Sequence, residues 1–276
     1  MLLHAQDTDD GGHKNVIRYS QQLGNASFVY IVMELCDEIL EQRIQRSGFA
    51  GPEARKNACM QLPQGLEYLH TLPVAISHRD LKPSNLLFKG DTLKIADMGQ
   101  SRILAMGETA VPTGSQGGTM GWMSQEEIEW DNGGSAPGIV FQAHLSGDIH
   151  TAGSIIYYVL SSGVHCFGSV SYKQQAAISD GTPDFGALEG ADTLAVDLVA
   201  RMTVRNPAKR LKISLVADHP FFWSEMQRVE KIRGWKTSWS GAATSIAGSQ
   251  RTRTACIVSS AAAAGSRVWT KRLRLG

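Results

Sequence analysis

The sequence has 276 residues, 42% hydrophobic and 19% charged, with a formal net charge of +1, the profile of one large or two modest globular domains. A disulfide-stapled or zinc-ribbon chain is excluded, because Cys36, Cys59, Cys166 and Cys256 are widely spaced with no C-x-x-C pair, a usage that suits a reducing compartment. Met1 to Asp10 lacks the basic and apolar parts of a signal peptide, and the most apolar stretch, Ile149 to Leu160, is too short to cross a bilayer, so a soluble, cytoplasmic chain without a membrane span is expected.

Phe28 to Leu35 (FVYIVMEL) is β-branched and aromatic and predicts a buried strand, with Val16 to Tyr19 as its partner. From Pro52 to Leu72 the apolar residues Ala54, Ala58, Leu62, Leu66 and Leu69 recur at three and four, which predicts an amphipathic helix interrupted and kinked at Pro63. Leu86 to Phe88 and Leu93 to Ala96 flank Lys89-Gly90-Asp91-Thr92 and predict a hairpin with a tight turn. Met98 to Glu126 is rich in Gly, Ser and Thr and is expected to be loop. Asp148 to Leu160 and Leu194 to Met202 are helix candidates, and helix dominates after residue 140. Residues 231–276 hold nine Lys or Arg and no acidic residue, which leaves 18 basic and 26 acidic side chains before them. This Ala-, Gly-, Ser- and Thr-rich tail is expected to be disordered, a solvated extension with no specific nucleic-acid partner.

The chemistry lies in His78-Arg79-Asp80-Leu81-Lys82-Pro83-Ser84-Asn85 and, twelve residues after Asn85, Asp97-Met98-Gly99. These match the catalytic loop H-R-D-L-x-x-x-N and a variant of D-F-G of protein kinases. Phosphoryl transfer asks for positioning and charge neutralisation, so it needs a base near the acceptor hydroxyl and oxygen ligands for Mg²⁺. Asp80 is the candidate base, Asn85 and Asp97 the candidate metal and nucleotide ligands, and Lys82 a candidate to balance charge on the moving phosphoryl group. Met98 in place of Phe is a swap between apolar side chains of similar bulk, and Gly99 keeps the backbone freedom of the motif. Ser124-Gln125-Glu126 stands where A-P-E is usual, with Glu126 expected to pair with Arg210 of Asn206-Pro207-Ala208-Lys209-Arg210. Asp148 is expected to accept hydrogen bonds from the backbone of the catalytic loop, or to act as a local N-cap.

H-K-N-V-I-R-Y at 13 to 19, Y-I-V-M-E-L-C at 30 to 36, G-T-M-G-W at 118 to 122, the stretch D-I-H-T-A-G-S-I-I-Y-Y-V-L-S-S-G-V-H-C-F-G at 148 to 168 and H-P-F-F-W at 219 to 223 together resemble the inositol-requiring kinase/endoribonucleases of the unfolded protein response. Ribonuclease L, which shares the kinase-plus-nuclease plan, resembles them less. The resemblance runs from about residue 13 to about 232. It implies an α+β, protein-kinase-like fold: residues 13–36 a remnant of the β-rich N-lobe and hinge, 37–232 a mostly helical C-lobe, with an extension at 1–12 and the tail at 233–276. It implies Mg²⁺ and ATP as cofactors, with Met33 as gatekeeper and the backbones of Glu34 and Cys36 facing the adenine. It further implies a serine/threonine kinase whose protein substrate is itself or a full-length relative in a homodimer, with relatives on the endoplasmic reticulum membrane, kinase toward the cytosol. Ser101, Thr109, Thr113, Ser115 and Thr119 are candidate phosphosites, with Arg79 as the expected phosphate partner. Only twelve residues precede His13, too few for a Gly-rich loop, a V-A-I-K lysine and its helix Glu, and no ribonuclease activity is expected. A catalytically impaired binding module that docks on a relative, or a fragment with apolar surface exposed around Phe28 to Leu35, are the alternatives.

Overall fold

In the computed structural model of the chain, the described residues are 12–24, 28–46, 48–104, 110–113, 118–129, 141–188, 192–231 and 233. Residues up to Trp223 form one compact unit, and those from Ser224 belong to a second, in which 225–231 are helical.

The first unit opens with a two-stranded antiparallel ribbon, β1 (Tyr19–Gly24) and β2 (Val29–Met33), with Gly24 opposite Val29 and Tyr19 opposite Met33. The strand at 28–35 therefore exists, but its partner lies three residues later than the pattern at 16–19 suggested. Val16 and Ile17 are drawn elsewhere: both are buried, Val16 bridges to Ile95, and the Ile17 N–H donates to the Ile95 carbonyl at 2.9 Å. Nor is β2 buried. Its five residues range from 40% exposed at Val32 to 64% at Val29, and Leu35 is 86% exposed. A two-stranded ribbon has no second layer of its own to bury a face, whatever its apolar content.

The helical body follows. β3 (Glu38–Ile39) leads into α1 (Leu40–Arg46), then α2 (Pro52–Thr71) runs twenty residues. It passes through Pro63 without interruption, and the proline ring is buried. A proline inside a helix costs on the order of 3 kcal/mol, through one lost backbone hydrogen bond and the clash of its ring with the preceding turn, and core burial of neighbouring Ala58, Cys59, Leu62, Leu66 and Leu69 offsets it. β4 (Ile76–Ser77) precedes the hairpin β5 (Leu86–Lys89) and β6 (Thr92–Ile95), which turns at Gly90-Asp91 with Gly90 at φ 58°, as its sequence predicts. The strands of this sheet run β3-β5-β6, while β7 (Arg102–Ile103) pairs with β4 and β8 (Ala110–Thr113) with β9 (Phe141–His144). The stretch 98–126 thus carries short strands that its Gly-rich composition hid.

After α3 (Gln125–Glu129), the long α4 (Leu145–Leu160) forms the axis of the body, with α5 (Ser171–Asp180), α6 (Thr193–Met202) and α7 (Ile213–Val216) following it. Twelve of the sixteen residues of α4 are buried, and it packs against both α2 and α6. Gly153 permits the closest of these contacts: a Cβ there would lie 2.7 Å from the Met202 Cβ. Gly65 of α2 does the same on the other side, where a Cβ would meet the Asn15 carbonyl and Ile95 Cδ1 at 2.8 Å. Among the described residues, no helix is long and apolar enough to cross a membrane. Cys36, Cys59 and Cys166 are free thiols, and burial pushes Cys166 up to about 12, so it is inert; Cys256 lies outside the described residues.

Candidate active site

The loop after β4 is shaped by a single carboxylate. Asp148, in the first turn of α4, accepts the backbone N–H of His78 (2.8 Å) and of Arg79 (2.9 Å) and the Nε2–H of His70 (2.9 Å). It is therefore no N-cap: α4 begins at Leu145, and the side chain serves the loop instead. Burial alone would raise this carboxyl, but the His70 hydrogen bond and the neighbouring charges outweigh it and hold it below the ordinary value. The three donors let Arg79 adopt φ 67°, a left-handed conformation that costs a non-glycine residue about 1–2 kcal/mol. His78 closes the other side: its Nδ1 accepts from the Asp80 N–H at 3.3 Å, so Nε2 carries the proton and donates to the Ala96 carbonyl at 2.8 Å. Burial keeps it neutral.

Asp80 sits at the centre of a four-residue cluster. Its Oδ2 takes the Lys82 ammonium at 2.9 Å and the Asn85 amide at 3.1 Å, while Oδ1 takes the Thr119 hydroxyl at 2.6 Å. Lys82 Nζ also donates to Thr119 Oγ1 at 2.8 Å. Because Asn85 spends its Nδ2 on Asp80, with a second bond to the Asp80 carbonyl at 2.8 Å, its amide oxygen is left facing outward. Asp97 stands at the far end of the β5–β6 hairpin at φ 61°, with Oδ1 engaged by the Gly99 N–H at 3.2 Å. The left-handed residue of the motif is thus Asp97. Gly99 has no positive φ, and a Cβ there would meet only Asp97 Oδ1, so the freedom expected at Gly99 is used one step earlier. One amide oxygen and one exposed carboxylate are hard ligands of the kind Mg²⁺ takes.

Asn85 and Asp97 open onto a cavity of about 460 Å³ between the ribbon and the hairpin, walled also by Tyr19, Met33, Leu87 and Met98. Met33, the gatekeeper candidate, is among the residues that line the cavity. Glu34 and Cys36 do not wall it. The Glu34 carboxylate turns to Lys94 (2.7 Å), Lys89 (3.4 Å) and the Arg18 N–H (2.9 Å); burial would raise it, but these partners hold it below the ordinary value. The Glu34 carbonyl and the Cys36 N–H take no backbone partner among the described residues. Among the described residues, no Lys or Arg lines the cavity.

The family model for the protein kinase domain matches residues 5–222. This chain belongs to the protein kinase family. It is 34% identical over 240 residues to the human serine/threonine-protein kinase/endoribonuclease IRE2, covering 81% of this chain and 24% of that protein. Identity to the serine/threonine-protein kinase/endoribonuclease ire-1 of Caenorhabditis elegans is 32% (83% and 23% covered), and to the Schizosaccharomyces pombe sensor for unfolded proteins in the ER, ire1, 29% (79% and 23%). The kinase thus spans about a quarter of the length of these relatives, whose names bear out the resemblance drawn from its motifs.

The end of the kinase activation segment is bolted to the body. Arg210, with 1% of its side chain exposed, makes a two-pronged pair with Glu126 at 2.6 and 2.7 Å and donates further to the carbonyls of Ser146, Val204 and Arg205. Glu127, unremarkable in the sequence, is buried beside this pair. It caps α3 through the N–H and hydroxyl of Ser124, and burial still pushes it up to about 7. Of the candidate phosphosites, Thr119 is occupied by Asp80 and Lys82, and Ser101 donates to the Met98 carbonyl at 2.7 Å. Thr113 lies on β8, whereas Thr109 and Ser115 lie outside the described residues. Arg79 reaches the Gln100 carbonyl at 3.4 Å. His70 and the positioning role of Thr119 had no local signal, since each partner is 37 or more residues away.

Proposed function

We propose that this kinase chain transfers the γ-phosphoryl group of ATP to a serine or threonine hydroxyl of a protein. The observation that carries the reading is the Asp80–Lys82–Thr119–Asn85 cluster, whose Asn85 lines the same cavity as Asp97. Asp80 receives the proton of the incoming hydroxyl, which takes the place beside Oδ1 that Thr119 borders. Lys82, held between Asp80 and Thr119, offsets negative charge on the transferred group. The Asn85 amide oxygen and the Asp97 carboxylate would hold Mg²⁺, which when bound would supply neutralisation of phosphate charge. The Glu34 carbonyl and Cys36 N–H meet the adenine edge, and Met33 bounds it. A second copy of this chain or a longer relative is the protein substrate, at the cytosolic face of the endoplasmic reticulum; of the two activities in the relatives' names, only the kinase is proposed.

A second reading has one observation behind it. Among the described residues the cavity is lined by no lysine or arginine to position phosphates, so a chain that binds nucleotide weakly and acts by docking on a longer relative is the alternative. Thermal unfolding with and without Mg²⁺-ATP, for wild type and Asp97→Asn, separates the two. Stabilisation that Asp97→Asn removes supports the kinase reading; a cooperative melt that ATP leaves unmoved favours the docking module.

A further inference from the structure

A further cavity, of about 360 Å³, lies across β5 from the one that Asn85 and Asp97 share. Successive residues of a strand point to opposite faces, and here Leu87 walls the first cavity while Phe88 lines the second. The second is bounded by α1, residues 48–50, the first turns of α2 and the β5–β6 turn. Its apolar part leaves room. Phe88 and Ala58 are buried, Phe49 stands at 66° to Phe88 with centroids 6.1 Å apart, and α2 adds Ala54 one turn before Ala58. Two alanines on one helix face beside two phenylalanine rings form a recess for an aliphatic side chain from outside. The volume is at the small end of the roughly 300–1,000 Å³ usual for ligand sites, which suits one or two side chains of a peptide.

The polar part is acidic where it is open. Arg43, the one cation of the lining among the described residues, lies over the Phe88 ring at 4.0 Å and is consumed within the fold. Its guanidinium donates to Glu38 at 2.8 Å, to Asp91 at 3.2 Å and to the Gly90 carbonyl at 2.7 Å. Glu38 has Arg46 as a second neighbour at 4.0 Å, whereas Asp91 is 98% exposed and its Oδ2 takes no described partner. Asp37 brings another carboxylate to the same turn, accepting the Gly90 N–H at 2.7 Å. Residues 1–230 carry 26 acidic against 18 basic side chains, so a basic partner is attracted to this body from a distance. The exposed amide of Asn57, also without a described partner, is free to match a peptide group.

We propose that this cavity docks a short, extended, basic segment of a partner protein. A leucine or similar side chain of that segment enters between Phe49, Phe88 and the α2 alanines, and an arginine or lysine pairs with Asp91. A rounded cavity of this volume is about 9 Å across, the span of about three extended residues, so the cation stands two or three residues from the leucine.

The inference does not depend on phosphoryl transfer, and its test needs none. Fluorescence anisotropy with the full chain measures binding of short labelled peptides with a central leucine and an arginine two or three residues to either side. Glutamine for the arginine should weaken the best of them about three- to fivefold, and serine for the leucine at least about tenfold. Asp91→Asn, a surface change, should erase the difference between arginine and glutamine but keep the leucine effect, while Ala54→Trp, which fills the recess, should remove binding altogether. Thermal melts establish that both variants fold, and Asp91→Asn still decides the matter if Ala54→Trp does not. Mg²⁺-ATP should leave peptide binding unchanged, because its cavity lies across the strand. No binding of any peptide, equal binding of the arginine and glutamine versions, a preference that survives Asp91→Asn, or binding that survives a folded Ala54→Trp would each overturn the proposal. Self-association in sedimentation that Ala54→Trp abolishes, in place of peptide binding, would assign the cavity to a second copy and overturn it too.

Discussion

Replacing Glu126 with alanine should be among the most damaging single changes available in this chain. Arg210 is almost wholly buried, and Glu126 is the acidic partner bound to it, with only 16% of its side chain exposed. Removing the acidic member of a buried pair leaves an uncompensated charge, at a cost of about 3–5 kcal/mol. The lower end applies, because Arg210 keeps three carbonyl acceptors, Ser146, Val204 and Arg205. About 3 kcal/mol is a large share of the 5–15 kcal/mol typical of a domain, and for a unit of this size corresponds to a melting temperature roughly 6–12 °C lower. Thermal and urea melts of Glu126→Ala, Arg210→Met and the double variant Glu126→Met/Arg210→Met provide the assay. The double variant removes both charges and should lie well above the sum of the single losses. A Glu126→Ala loss below about 1 kcal/mol, or additivity of the two single changes, would refute the premise that an unpaired buried charge sets the cost.

Glu127 titrates near 4.5 when unfolded but about 7 in the fold. Its contribution is therefore fully present below about pH 4.5 and lost as pH rises through 7; relative to Glu127→Gln, the wild type should lose on the order of 3 kcal/mol over that window in pH-dependent melts. Asp148 runs the other way, since its folded value is depressed: its stabilisation is present above the ordinary carboxylate range and lost as pH falls below it. Asp148→Ala should cost about 3 kcal/mol or more by stranding two N–H groups and His70, measured by urea unfolding. Thr119→Ala should lower kcat by roughly tenfold, with Thr119→Ser close to wild type, because a hydroxyl bridging two charged groups is lost. Asp80→Asn should reduce phosphotransfer by about 10²–10⁴ while Mg²⁺-ATP stabilisation persists.

Much of the site was legible before any coordinates, because its parts are packed into short, ordered motifs. Asp80, Lys82 and Asn85 lie within six residues, and the Leu86–Ile95 hairpin that carries Asp97 declares itself by a Gly-Asp turn between apolar strands. The helices at 52–71 and 193–202 were equally visible, since apolar periodicity is a local property that tertiary packing merely reuses. Even the Glu126–Arg210 pair, 84 residues apart, was accessible through family likeness.

What remained hidden depended on contacts without local trace. The apolar run at 28–33 looked like core, but burial belongs to the surroundings: with only β1 beside it, the strand is exposed. Val16 and Ile17 have strand composition, yet Asn15 anchors their segment to Gln61 and Leu93 through its Nδ2, at 2.8 Å each, so they join β6 and leave Tyr19–Gly24 to pair with β2. Thr119 was singled out as a candidate phosphosite, but only folding put it between Asp80 and Lys82, and Glu127 drew no reading until burial raised it to about 7. The sequence by itself determined the type of chemistry, which resides in the identity and spacing of a few side chains. Only the tertiary structure decided which groups are buried, paired or left open, because desolvation and Coulomb interaction depend on distances through space that the order of residues does not contain.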